Sequence, residues 1–321
     1  MKIGFIGGGP ISFFHIQALR ENNFKIGAIG SQKDSKNCLN FSKENNLDKF
    51  YCNNGWEEVL SSNMDAYCIC VDIGVTLNIL KEAIKTKKPI FVEKPITWNY
   101  KNLEMLIKDN DISNIFVGYN RRYYKTVNEL KKKCDESSGG TILVNIPDSE
   151  PGIMGMLTNG CHMIDLLRYL IGDVSILSKA ININKNNDDL DSISAICINE
   201  KWKVLINAHH SIPANFSITV NTHNKVHELK PIEKFTSYDG LKVEEPTEEE
   251  PIRKYLPNEK YKIIEDSKLK PGFNLMYKNF KEFCNYKNDY NKCTLVDASK
   301  SLKLCWELMD SNILKNKFKH L

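Results

Sequence analysis

The sequence predicts an α/β fold in two domains: a doubly wound parallel sheet over residues 1–120, then an α+β domain with mostly antiparallel strands over residues 121–321. Three observations predict it. Short apolar runs alternate with helix-period segments at βαβ intervals up to residue 120. A glycine turn, Gly7-Gly8-Gly9, joins the first apolar run directly to the first helical segment. Beyond residue 120 strand-like stretches follow one another with fewer helices, as in an antiparallel, half-exposed sheet.

In order, the apolar runs at residues 2–6, 25–29, 49–52, 66–71, 89–92 and 115–118 read as buried strands. Helical spacing fills the gaps at 11–20, 35–45, 56–60, 77–85 and 100–108. Ile11, Phe14, Ala18 and Leu19 show that spacing in the first helix. The second domain offers strands at 141–146, 193–198, 202–208 and 215–221, and an acidic loop, VEEPTEEEP, at 243–251. Two helical stretches end the chain, at 272–284 and 297–310, and they can pack back on the first domain.

Bulk properties narrow the function. The chain has 321 residues, 41% of them hydrophobic and 26% charged, which argues for a folded, soluble protein. Net charge is +4 with no long basic run, so neither nucleic acid nor a membrane surface is an expected partner. Ten cysteines show neither a CxxC pair nor zinc spacing with histidine, so free thiols in a reducing compartment and no metal are expected. The start enters a strand at once and no apolar run spans a bilayer, which predicts a cytoplasmic protein.

The glycine turn carries the first chemistry. Gly7 permits the tight turn, and Gly9 lets backbone approach a pyrophosphate at the start of the helix opened by Pro10, Ile11 and Ser12. Ser12 stands where G-x-G-x-x-G has its third glycine and is small enough to keep helix and strand close. An NAD site usually ends the second strand in a carboxylate that bonds the ribose 2′-hydroxyl. Here that end reads Ile29-Gly30-Ser31-Gln32-Lys33. Nothing repels a 2′-phosphate, and Ser31 with Lys33 can accept one, which favours NADP over NAD. The alternative is a polar loop with a solvated lysine.

The segments KIGFIGGGPISFFH, VEKP, VGYNRR and GCHMIDLLRYLIG, in that order and spacing, resemble the Gfo/Idh/MocA oxidoreductases. The resemblance covers essentially the whole chain. It implies a Rossmann domain, then a domain whose large open sheet makes a homo-dimer or homo-tetramer. It also implies NAD(P)-linked redox chemistry on a sugar or polyol, with a lysine and a histidine in an active site between the domains.

The residues agree with that implication. Lys94 follows a strand whose C-terminal end belongs beside the nicotinamide, where an ammonium holds a substrate hydroxyl and favours its deprotonation. Pro95 fixes the backbone, and in the family this Lys-Pro bond is often cis. Glu93 supports the turn; an exposed charge pair is the alternative reading. His162 opens an apolar helix and suits the general base that takes the hydroxyl proton, with Asp165 one turn on to orient its ring. Without Lys94, a packed core histidine would be the reading.

Many relatives have Asp four residues before this histidine. Here Thr158 occupies that position, followed by Asn159, so the substrate contact becomes uncharged. Asn120 is placed for the nicotinamide ribose or substrate, and Arg121 and Arg122 for an anionic group or for solvent. Asp72 opens a loop passing over the cofactor. Three functions follow: an NAD(P)-dependent dehydrogenase or reductase of a sugar, amino sugar or nucleotide sugar, in surface-polysaccharide synthesis for instance; a glycosidase that retains NAD; or a dinucleotide-binding regulator without turnover.

Overall fold

The computed structural model describes all residues except 33–34, 45–46, 48–49, 53–54, 149, 151, 187–188, 287–292, 310–313 and 315–321. Two compact units emerge. One combines Met1–Tyr123 with Ser267–Leu304; the other combines Tyr124–Asp266 with the chain from Cys305.

The first unit is built on β1 (Lys2–Ile6), β2 (Lys25–Gly30), β3 (Phe50–Tyr51), β4 (Ala66–Ile69), β5 (Ile90–Val92) and β6 (Ile115–Val117). Strands β1, β4, β5 and β6 are almost wholly buried, as strands covered on both faces must be, whereas β2 is buried over its last three residues and edge strand β3 is not. All pair in parallel, in the order β3-β2-β1-β4-β5-β6. The order reverses between β1 and β4, which opens a crevice at their C-terminal ends. Helices α1 (Pro10–Glu21), α2 (Lys36–Glu44), α3 (Trp56–Ser61), α4 (Ile73–Lys85) and α5 (Tyr100–Asp109) make the crossovers. Helix α4 begins four residues before its apolar spacing does, because Asp72 caps it: its Oδ1 accepts from the Gly74 amide at 2.8 Å.

The second unit opens with α6 (Lys125–Glu136) and β7 (Gly140–Ile146). Next come α7 (Gly152–Gly155), a π-helical turn at Met156–Gly160 and α8 (Cys161–Ile171). Strands β8 (Ser175–Asn184), β9 (Asp189–Ile198), β10 (Trp202–His209), β11 (Ser217–Thr222), β12 (Lys225–Leu229), β13 (Lys234–Glu244) and β14 (Lys254–Ile264) complete a sheet ordered β14-β13-β12-β11-β7-β10-β9-β8. Only β7 and β10 pair in parallel; the other neighbours are antiparallel. Along β10 the side chains alternate, with Trp202, Val204, Ile206 and Ala208 buried.

Sequence reading misses α6 and four of these strands. In α6, Val127, Leu130 and Cys134 have helical spacing but lie among lysines and glutamates. Strands β8 and β14 are mostly exposed, so their sequences lack the alternation that marks a half-buried strand. The chain ends with α9 (Phe273–Tyr286) and α10 (Leu295–Leu308). In the first unit α9 packs on α1, and Phe273, Met276, Tyr277, Phe280 and Phe283 join Phe5, Phe91 and Phe116 in one core.

The expectation that every cysteine is a free thiol is corrected. Cys38 in α2 and Cys52 after β3 are joined as a disulfide, with Cα atoms 6.4 Å apart. Their 14-residue separation is no recognisable motif; the packing of α2 against β3 brings them together. The other eight cysteines are, apart from Cys284, buried. Burial pushes the Cys134 thiol up to about 12 and that of Cys197 to about 11. Among the described residues no helix is long and apolar enough to cross a membrane.

Candidate functional site

A cavity of about 690 Å³ lies in the first unit over the glycine turn, where Gly7, Gly8, Gly9, Ile11, Ser31, Gln32 and Asp72 line it with Trp56 and Val75. A second, of about 410 Å³, touches Pro10, Ser12 and Asn37. The three glycines differ in physical role. Gly7 has φ +148°, and a Cβ there would lie 2.2 Å from the Cys70 carbonyl oxygen. At Gly8 a Cβ would meet the Ser31 hydroxyl at 2.3 Å, whereas at Gly9 it would meet nothing within 4 Å. The bare backbone of Gly9 therefore relieves no crowding inside the protein.

The start of α1 suits an anion. No described side chain caps it, and no acidic residue sits in its first turn. Ser12 is buried, and its hydroxyl has no hydrogen-bond partner among the described residues. The positive end of a helix dipole, an orphaned hydroxyl and an open glycine together fit a pyrophosphate. At the end of β2, the Ser31 amide donates to Tyr51 O at 3.0 Å. Lys33 lies outside the described residues.

Beyond β5 the chain forms a tight strap. The Glu93 amide donates to Ile69 O at 2.9 Å, and the Lys94 amide donates to Glu93 Oε2 at 2.8 Å. The Lys94–Pro95 bond is cis, and Lys94 is half-buried. Glu93 Oε1 lies 3.0 Å from Nε2 of His15, which is wholly buried in α1. The other ring nitrogen of His15 is 2.7 Å from the Tyr277 hydroxyl. His15 lies within the motif KIGFIGGGPISFFH, but its sequence context shows no role, since its partners lie 78 and 262 positions away.

Lys270 is also missed by sequence reading. Its ammonium lies over the rings of Phe14 and Phe273, at 5.3 and 5.5 Å. Burial lowers its pKa, Glu93 opposes that, and Lys94 and Arg121 add to it.

Residues 120–123 form a 3₁₀ turn. Asn120 is buried, and its amide nitrogen donates to Pro271 O at 3.1 Å. Arg121 is half-buried. Arg122 is buried with its guanidinium 3.9 Å from Asp297, so the solvated placement is corrected for it. Tyr123 and Tyr124 are buried.

In the second unit, His162 is the second residue of α8 and only 7% exposed, while Asp165 one turn on is 1% exposed. The π-helical turn leads into it, a local widening that often marks functional positions. That turn carries Thr158 and Asn159. The Thr158 hydroxyl lies 2.7 Å from Glu150 Oε2 and 2.8 Å from Met154 O, and Asn159 Nδ2 donates to Asp148 Oδ1 at 3.2 Å. Asp148 is 1% exposed, and sequence reading gave no reason to single it out. Among the described residues, no three His, Cys, Asp or Glu side chains gather as a metal site.

Comparison with known proteins agrees with the cavity. Residues 1–118 match the family model described as oxidoreductase family, NAD-binding Rossmann fold. Myo-inositol 2-dehydrogenase of Thermotoga maritima is 25% identical over 188 residues, which is 54% of this chain and 55% of that protein. An uncharacterized oxidoreductase of Bacillus subtilis, YrbE, is 28% identical over 185 residues, 53% of each chain. The chain thus spans about half the length of the curated relatives it matches.

Among solved structures, the UDP-N-acetylglucosamine 3-dehydrogenase of Acidithiobacillus ferrooxidans superposes with a TM-score of 0.75 at 12% identity, over 96% of both chains. A 3-ketoreductase mutant from Actinomadura kijaniata, in complex with TDP-benzene and NADP, gives 0.70 at 12% identity over 95% of both. At these identities the likeness is one of fold. Residues 1–118 are thus similar to the Gfo/Idh/MocA oxidoreductase family, whose description is an NAD-binding Rossmann fold.

Proposed function

We propose that the protein is an NAD(P)-dependent oxidoreductase that interconverts a carbinol and a ketone on a sugar, amino sugar or nucleotide sugar. The observation that carries this is the glycine cradle: open at Gly9, uncapped at α1, and inside the segment that matches the family. Gly7, Gly9 and Ser12 hold the pyrophosphate, and Ser31 and Gln32 face the adenosine ribose. The bound nicotinamide supplies the hydride acceptor or donor.

The chain's own groups manage the proton. In oxidation His162 accepts the hydroxyl proton as the carbinol carbon loses hydride. Lys94 steadies the oxygen as negative charge develops on it. Thr158, Asn159 and Asn120 orient the remaining hydroxyls, and Arg121 meets any anionic group. The exposed leucines and isoleucine of the second-unit sheet, Leu143, Ile196 and Leu205, support a homo-dimer or homo-tetramer through that face. Thr158, uncharged and already engaged by Glu150, is the observation that keeps a dinucleotide-binding regulator as the second reading.

Cofactor binding and turnover test this. NADH and NADPH should each raise the melting temperature by linkage, NADPH at least as much as NADH. No shift with either at millimolar levels rejects the reading. Ser31→Asp should reverse any NADPH preference by repelling the 2′-phosphate. A screen of cofactor reduction should begin with myo-inositol and UDP-N-acetylglucosamine, the compounds in the names of similar proteins. With a substrate in hand, His162→Ala and Lys94→Ala should each lose about 10²–10⁴ in turnover while cofactor affinity changes little. Turnover that survives both substitutions would remove these residues from the mechanism.

A further inference from the structure

We infer that His15 is a positioning residue for Lys94: through Glu93 it ties the lysine strap to α1, the helix whose first turn faces the cavity. The inference rests on the reading of Lys94 as a reacting group, and it concerns residues within the first unit alone.

The hydrogen-bond directions follow from donor counts. The Tyr277 hydroxyl lies 2.7 Å from His15 Nδ1 and 3.2 Å from the Cys68 sulfur. Burial holds the phenol well above its usual pKa, so it remains an O–H donor. If it donates to Nδ1, the ring hydrogen sits on Nε2, 3.0 Å from Glu93 Oε1. That N–H is not aimed at the oxygen, so the contact is a close electrostatic one and not a hydrogen bond. The second oxygen of Glu93 receives the Lys94 amide at 2.8 Å. The carboxylate is thus hydrogen-bonded at one oxygen, lies against the imidazole with the other, and is 13% exposed.

Two further features shape this seat. A Cβ at Gly118 would approach Glu93 Oε1 to 3.1 Å, so the glycine leaves the carboxylate its place. The imidazole is wedged among Phe91, Phe273 and Tyr277, with ring centroids 4.7–5.7 Å away, which leaves it little freedom to turn. His15 lies five residues after Pro10, about 7.5 Å along a rigid helix. Seating a pyrophosphate at the start of α1 therefore bears on the seat of Glu93, and so on Lys94.

The test needs no substrate, so its failure is separable from failure of the catalytic reading. Lysines are modified with trinitrobenzenesulfonate, with and without NADPH, and Lys94 is compared by peptide mass spectrometry with Lys85, an exposed residue of α4. In the wild type NADPH should slow Lys94 relative to Lys85. In His15→Phe the Lys94:Lys85 ratio should rise about fivefold, within what one lost buried polar contact allows, and protection by NADPH should shrink although NADPH still binds. An unchanged ratio in the folded variant overturns the inference. If His15→Phe does not fold, Tyr277→Phe decides by the same ratio, since it keeps the ring stacked on Phe91 and removes only the hydroxyl. A smaller rise supports the inference and no rise rejects it.

Discussion

Adjacent glycines can be required for different reasons, and substitution separates them. Gly7→Ala forces a side chain into the Cys70 carbonyl at a φ that side chains avoid. It should cost about 3 kcal/mol or prevent folding, as read by urea denaturation. Gly9→Ala meets open space. Its stability should stay within about 0.5 kcal/mol of wild type. Dinucleotide affinity should nevertheless fall about tenfold, roughly 1.4 kcal/mol, as read by fluorescence titration. A Gly9→Ala protein that binds NADH and NADPH normally would show that the turn does not approach the cofactor. The motif as a string predicts the turn; only the surroundings of each Cα say which glycine serves the fold and which faces the cavity.

Elements carry the candidate groups because their ends are sharply set. Helix α8 stops at Gly172, where φ is +82° and ψ is −165°, a backbone region close to glycine-only. A Cβ there touches nothing within 4 Å, so the penalty of Gly172→Ala is purely conformational. It should be about 1–3 kcal/mol, measured by chemical denaturation, and Gly172→Asn should not rescue it, since asparagine prefers a different positive-φ well. A change below about 0.5 kcal/mol would mean that the helix end relaxes. The helix and its stop are legible from HMIDLLRYLIG, whereas the preceding π-helical turn is not. The side chains that meet it, Glu150 on Thr158 and Asp148 on Asn159, come from outside the turn, and no local period encodes them.

At the scale of the whole molecule, buried imidazoles make stability depend on pH. His210 and His227 are 7% and 3% exposed, and burial is the main cause lowering both pKa values. For His227 the ammonium groups of Lys133 and Lys225 add to it. Folded histidines with depressed pKa take up protons later than the same residues unfolded, near 6.5. Their contribution is therefore intact above about pH 6.5 and is lost as pH falls from there towards the lowered folded values. The melting temperature should drop between pH 7 and pH 5. His227→Gln, which can still pair with Ser237, should show a shallower drop. An equal slope in both proteins would mean that His227 does not titrate differently on folding.

Local chemistry, read from the sequence by itself, determined the parallel sheet, the glycine turn, the strap at Lys94 and the helix that carries His162. Each rests on a short period, on the adjacency of strand and turn, or on proline and glycine limits on φ. Tertiary structure alone decided the order of the strands, the marginal strands β8 and β12–β14, the pairing of Cys38 with Cys52 and the Tyr277–His15–Glu93–Lys94 connection. These depend on groups far apart along the chain, whose meeting is set by burial of many side chains at once. No window of sequence contains both partners, so their chemistry exists only when the core has formed.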